Sequence, residues 1–287
     1  MKLRVAIAGC HRMLLPQSAG HNFASAFAAV PETEIVAVYD RGPETRADFV
    51  RCWGEMPAYD DYARMLREVQ PDLLCIATRQ TLHAEQIEQA AAAGVRGILC
   101  DKPLATSLGE ADRIVSACAE NGIALTFALD RRWHESYSQL RRLIDEGIVG
   151  RVTSVLAFGC PNLINHGCHW YDTALLVMGD PELLWVSGWV DGLVNEPAES
   201  RRRLDPPGRG KVGLSNGVAL SVTAGYDPLS RSSVKRAGCS FCRTPSCAIS
   251  GQRAEEPGSR GCVRCRWHPT PRPGRPDPQW YAIWWRL

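Results

Sequence analysis

The stretch Gly97-Ile98-Leu99-Cys100-Asp101-Lys102-Pro103-Leu104-Ala105 decides how this chain is read. Ile98 to Cys100 is a short apolar run between turn residues, the pattern of a buried strand. Pro103 has no N–H to give a ladder, so the strand stops there. Lys102 is thereby set at a strand's carboxyl end, where open α/β sheets bind their ligands. An ammonium in that position can polarise a hydroxyl or carbonyl oxygen, and burial can tune its pKa. A strand-end lysine in solvent is the plain alternative, and the neighbouring segments decide between the two.

Those segments alternate. Arg4 to Ala8 is a β-type run ending at Gly9, Asn22 to Val30 is helix-like, and Glu34 to Tyr39 is a second strand ending at Asp40. Leu73 to Ala77 and Ile123 to Leu129 read as further strands, with helices over His83 to Ala93 and Gly109 to Asn121. Strands separated by helices of this length predict a parallel, doubly wound sheet of Rossmann type, here over residues 1–130. From Ser136 the pattern changes. Helices over Ser138 to Glu146 and His169 to Met178 are joined by strand-like runs at 152–158, 184–190, 211–214 and 218–224. Runs of strands without intervening helices predict a second, α+β domain with a mainly antiparallel sheet over 131–230. Glu196 to Gly210, rich in Arg and Pro, reads as a loop.

The 287 residues suit two domains, and the net charge of +2 hides an asymmetry. Residues 231–287 carry 11 basic and 3 acidic residues, against 22 and 28 before them, and hold five of the 12 cysteines. Cys239-x-x-Cys242 and Cys262-x-x-Cys265 stand 19 residues apart, a zinc-ribbon spacing with Cys247 and His268 to spare. The basic balance would suit nucleic acid. The segment also has one leucine and no helix or strand period, so it is read instead as an out-of-frame, disordered tail, with no metal site and no nucleic-acid partner. The second sheet would then lack its last strands. No run approaches the roughly 18 apolar residues of a membrane span. The amino terminus runs straight into a strand without a signal-peptide layout, so a cytoplasmic setting with reduced thiols is expected.

A strand, a glycine turn, a helix and an acidic strand end make a dinucleotide-binding layout. Only Gly9 of the glycine fingerprint is in place, since His11 and Leu14 occupy the later positions. Asp40 follows Gly9 by 31 residues and could accept the ribose hydroxyls while repelling a 2′-phosphate, which favours NAD over NADP. Arg41 beside it would soften that preference. His11 and Arg12 are candidate anion contacts, or a solvated loop.

Taken together, the chain resembles the Gfo/Idh/MocA family of oxidoreductases. The matching pieces are Val5-Ala6-Ile7-Ala8-Gly9-Cys10, Val38-Tyr39-Asp40, Tyr59-Asp60-Asp61-Tyr62, Ile76-Ala77-Thr78 with His83, and Cys100-Asp101-Lys102-Pro103-Leu104-Ala105. Further on come Asp130-Arg131-Arg132 and Asn165-His166-Gly167-Cys168-His169-Trp170-Tyr171-Asp172. The resemblance covers roughly residues 3–226. It implies hydride transfer between NAD or NADP and a hydroxyl carbon of a sugar, cyclitol or related polyol, and dimers or tetramers through the second sheet. It makes Lys102 the active-site lysine and His169 the acid–base histidine, with Thr78, His83 and Asp101 on the cofactor side. Asn165 stands where the family has aspartate; an amide can orient a hydroxyl but cannot take its proton. Asp101 replaces the usual glutamate, and Asp172, one helical turn after His169, would orient its ring. Arg79 stands where proline is common, as a contact for an anionic substrate or a plain surface residue. A non-catalytic nucleotide-binding homologue is the competing class.

Overall fold

The computed structural model describes residues 1–14, 22–190, 207–224, 246–252 and 260–265. Met1–Ala128 forms one compact unit, and a second begins at Leu129.

In the first unit six strands run parallel in the order β3-β2-β1-β4-β5-β6. They are β1 (Leu3–Ala8), β2 (Thr33–Tyr39), β3 (Ala58–Tyr59), β4 (Leu73–Ile76), β5 (Gly97–Cys100) and β6 (Ala124–Phe127). Between them lie α1 (Phe23–Ala29), α2 (Pro43–Trp53), α3 (Tyr62–Val69), α4 (His83–Ala92) and α5 (Leu108–Glu120). Side chains on a strand alternate between faces, and β1 shows what that does when both faces are covered. Val5 and Ile7 join Met13, Ala24 and Phe49 in one core, while Ala6 and Ala8 join Met65, Leu66, Ile87 and Ile114 in the other. A strand buried on both sides reads as a continuous apolar run, which is why Val5 to Ala8 does. Local signals fix the helix starts: Asn22, Asp61 and Ser107 each accept a backbone N–H three residues on, from Ser25, Arg64 and Glu110.

In the second unit α6 (Glu135–Asp145) and α7 (Gly167–Met178) pack on a six-stranded sheet ordered β12-β11-β7-β10-β9-β8. Its strands are β7 (Arg151–Cys160), β8 (Leu183–Val190), β9 (Gly208–Leu214), β10 (Ala219–Ala224), β11 (Ser246–Gln252) and β12 (Arg260–Cys265). All pairings are antiparallel except β7 with β10, so the sheet is mainly antiparallel. Trp170, Ala174 and Val177 of α7 meet Val155, Val212 and Leu220 in its core.

Three details differ from the residue pattern. α6 starts at Glu135 rather than Ser138, because His134 caps it by accepting the Ser136 N–H. Gly208 to Gly210, read as loop, opens β9, whose ladder with β10 needs no side chains there. Within 231–287, β11 and β12 are strands where the composition suggests none; β11 adds to the β7 edge through backbone hydrogen bonds, which any non-proline residue can make. The remainder of that tail, with Cys239, Cys242 and His268, lies outside the described residues, as does most of Glu196 to Gly210.

At Gly9 the backbone has φ +92°, and an added Cβ would stand 2.6 Å from the Ala77 carbonyl oxygen and 2.8 Å from the Thr78 nitrogen. This glycine is fixed by the approach of two strand ends. Gly9→Ala is expected to cost about 2–4 kcal/mol, from positive φ plus overpacking against backbone. Urea denaturation followed by circular dichroism measures it, and an unchanged midpoint would contradict the assignment.

Candidate dinucleotide crevice and acid–base cluster

The sheet order reverses between β1 and β4, and ligands of open α/β sheets bind outside the strand ends at such a point. Four candidate segments follow the carboxyl ends of β1, β2, β4 and β5: Gly9 to Arg12, Asp40-Arg41, Thr78 and Asp101-Lys102. The glycine-poor loop after β1 turns through one 3-10 turn, His11–Met13, in which Met13 is buried and His11 and Arg12 are exposed.

Asp40 shapes that loop. Its Oδ2 accepts the Cys10 N–H at 2.9 Å and its Oδ1 accepts the Gly42 N–H at 2.9 Å. A carboxylate has about four acceptor positions, so two remain for hydroxyl groups. Burial, and then the Asp40 charge, push the Cys10 thiol up to about 12, which keeps it protonated. Arg41 is exposed, whereas Arg46 reaches back to the Asp40 carbonyl at 2.6 Å.

Asp101 is almost wholly buried. Its own N–H donates to the Ile76 carbonyl at 2.7 Å, which ties it to β4. Its Oδ1 accepts the Lys102 N–H at 2.9 Å, and its Oδ2 pairs with Arg12 Nη1 at 2.9 Å. Lys102 follows at the strand end and is half-buried, joined to Pro103 by a cis peptide bond.

His83, expected on the cofactor side, opens α4. It is fully buried, and both ring nitrogens face backbone carbonyls, of which the single N–H of the neutral ring serves one side: Nδ1 lies 3.0 and 3.2 Å from the Pro103 and Leu104 carbonyls, and Nε2 lies 3.3 Å from the Thr78 carbonyl. The imidazole is a brace between the β4 end and the Lys102-Pro103 turn. Burial pushes its pKa down, against the pull of those carbonyls. Thr78 in turn donates its hydroxyl to Gln86 Oε1 at 2.5 Å, and buried Gln86 is a partner that no sequence spacing announces.

In the second unit His169 sits in the first turn of α7, buried, and half-buried Asn165 lies in the turn before the helix. The carboxylate beside the His169 ring is Asp130 Oδ1, 3.5 Å from Nδ1. Asp172 does not orient the ring as expected, because Arg132 claims it: Nε reaches Asp172 Oδ1 at 2.5 Å, while the same guanidinium holds both oxygens of Asp180 at 2.7 and 3.1 Å. Burial, reinforced by Asp180, raises the Asp172 pKa against the pull of Arg132; its Oδ2 is buried without a hydrogen-bond partner among the described residues. Arg131 stacks on the Trp170 ring at 4.1 Å. The segment Asp130-Arg131-Arg132 thus supplies three contacts to the start of α7. Arg79 is exposed, and among the described residues no group of His, Cys, Asp and Glu could hold a metal ion.

A doubly wound parallel sheet whose order reverses beside an acidic strand end is the architecture of dinucleotide-binding domains. The chain matches, over residues 3–129, the model of the oxidoreductase family with NAD-binding Rossmann fold. It is 32% identical over 176 residues to D-apiose dehydrogenase of Paraburkholderia graminis, covering 55% of this chain and 47% of that protein. It is 28% identical over 198 residues to D-glucoside 3-dehydrogenase of Escherichia coli, covering 62% and 55%. The chain therefore spans about half the length of the curated relatives it matches. Among solved structures, myo-inositol 2-dehydrogenase from Lactobacillus plantarum shares the fold with a TM-score of 0.68 at 17% identity, over 94% of this chain and 78% of that one.

The Arg132 cluster yields a pH-dependent expectation. A carboxyl whose folded pKa is raised costs stability as it ionises, so removing its cation hurts most where the charge is present. Arg132→Ala is expected to lose about 2–3 kcal/mol at neutral pH, with the deficit shrinking as acid protonates Asp172. Chemical denaturation across the pH range measures it; a deficit that grows on acidification would contradict the arrangement.

Proposed function

We propose that this protein is a nicotinamide-dependent dehydrogenase acting on a hydroxyl carbon of a sugar, cyclitol or related polyol. The observation that carries the reading is the gathering of Gly9, Asp40, Thr78 and Asp101-Lys102 at the carboxyl ends of neighbouring parallel strands, in residues that match the model of an NAD-binding family. The names of the relatives, which act on D-apiose, D-glucosides and inositol, supply the substrate class. NAD is favoured over NADP because the Asp40 carboxylate, held by two backbone N–H groups, keeps acceptor capacity for ribose hydroxyls and would repel a 2′-phosphate.

The nicotinamide supplies the hydride acceptor. On this reading Lys102 of the first unit polarises a substrate oxygen; in the second unit His169 is the acid–base residue, with Asp130 to stabilise an imidazolium and Asn165 to orient a hydroxyl. Arg12 with His11 contacts the cofactor's phosphates, and Arg41 lies beside the ribose. Seven free cysteines among the described residues accord with a reducing, cytoplasmic setting, and no helix of those residues is long and apolar enough to cross a membrane. The exposed Leu184, Trp185, Val186 and Trp189 of β8 support a homo-oligomer through the second sheet, readable by light scattering.

A second reading, a homologue that binds the nucleotide without turning over, is favoured by the single fingerprint glycine and by Asn165 in place of an acid. The two separate on assay. NADH titration followed by fluorescence should saturate, and a panel of sugars and cyclitols should then give NAD reduction. Lys102→Ala is expected to cut turnover about 10²–10⁴-fold with NADH affinity within about twofold. Binding without turnover on any polyol would favour the second reading, and retained turnover in the variant would remove Lys102 from its role.

A further inference from the structure

We infer that Asp101 is a positioning residue that aims Arg12 at the cofactor's pyrophosphate and, with the same carboxylate, fixes the Lys102 peptide. This rests on the dehydrogenase reading and deepens it.

The loop after β1 lacks the second fingerprint glycine, which lets the backbone approach a pyrophosphate, and the third, which lets the helix pack closely. Cys10 N–H, the donor next to Gly9, is already spent on Asp40. The loop compensates with a side-chain cation. Arg12 lies in the first turn after β1, its side chain 55% exposed, while Asp101 is 4% exposed. A guanidinium has five N–H donors in a planar fork. One of its terminal nitrogens, Nη1, is anchored on Asp101 Oδ2, and among the described residues the fork makes no other hydrogen bond. The anchor starts from the β5 end and reaches the loop of β1, two strands away, so the pair spans the carboxyl end of β4. That is beside the point where the sheet order reverses.

An ion pair this exposed on one side contributes little to folding. A carboxylate this buried on the other side is costly without its partner. The asymmetry suits a fixed base holding a cation that works outward. Asp101 Oδ1, on the Lys102 N–H at 2.9 Å, ties the same carboxylate to the turn carrying the lysine.

NADH titration followed by fluorescence, at increasing KCl, tests this. Wild type should bind with a Kd that rises with salt, as charge-assisted contacts require. Arg12→Gln should raise Kd at low salt about tenfold and flatten the salt dependence, and Arg12→Lys should recover part of the loss. Asp101→Asn keeps an acceptor for the Lys102 N–H and removes the charge; it should weaken NADH several-fold in the wild type and add nothing in the Arg12→Gln background. Thermal melting confirms that each variant folds. Arg12→Gln with wild-type affinity and salt slope overturns the phosphate role while leaving the dehydrogenase reading intact. An Asp101→Asn loss as large in the Arg12→Gln background shows that Asp101 does not act through Arg12 and overturns the positioning role. A wild type that takes no NADH overturns this inference and the reading together.

Discussion

A carboxylate taken out of water must be given partners or give up its charge, and Asp101 is the place where the first unit meets that demand. Its backbone is tied to β4, its side chain to the loop of β1 and to the peptide of Lys102. Three neighbouring strand ends are thus joined through one residue. Gly9 completes the same junction from the other side, because its missing Cβ lets the β1 end lie against Ala77 and Thr78. His83 closes it below, with its ring between the Thr78 carbonyl and those of Pro103 and Leu104. The parallel sheet sets the strand ends side by side; these three residues determine how tightly their loops are held.

The second unit solves a similar problem with cations. Asp172 on α7 is buried and would be expensive as a bare anion, so Arg132 is drawn in and shared with Asp180 at the helix end. That leaves Asp130, on the same short segment, as the carboxylate beside His169. One run of three residues thereby supplies an ion pair to Asp172, a cation over Trp170 and an acid beside the histidine.

Much of this was legible in the residues because it rests on local chemistry. Val5 to Ala8 and Leu73 to Ile76 are apolar without alternation, which marks strands covered on both faces. The lysine and proline after Cys100 mark a strand end, and Asn22, Asp61 and Ser107 mark helix starts. What was not legible depends on partners far apart in the chain. That the His83 ring lies between backbone carbonyls, or that Arg132 rather than His169 takes Asp172, follows from packing and not from spacing. The strands β11 and β12 were missed for another reason: backbone pairing gives them their place, and their side-chain pattern carries no period.

The central claim is that the loops after β1, β2, β4 and β5 form one dinucleotide-binding crevice. Amide hydrogen exchange read by mass spectrometry, with and without saturating NAD, tests it most directly. The account predicts slowed exchange in the segments 9–14, 40–46, 77–82 and 101–106 of the first unit, with the other loops of that unit unchanged. Protection confined to other segments of that unit, or none at a concentration where the nucleotide binds, would contradict it.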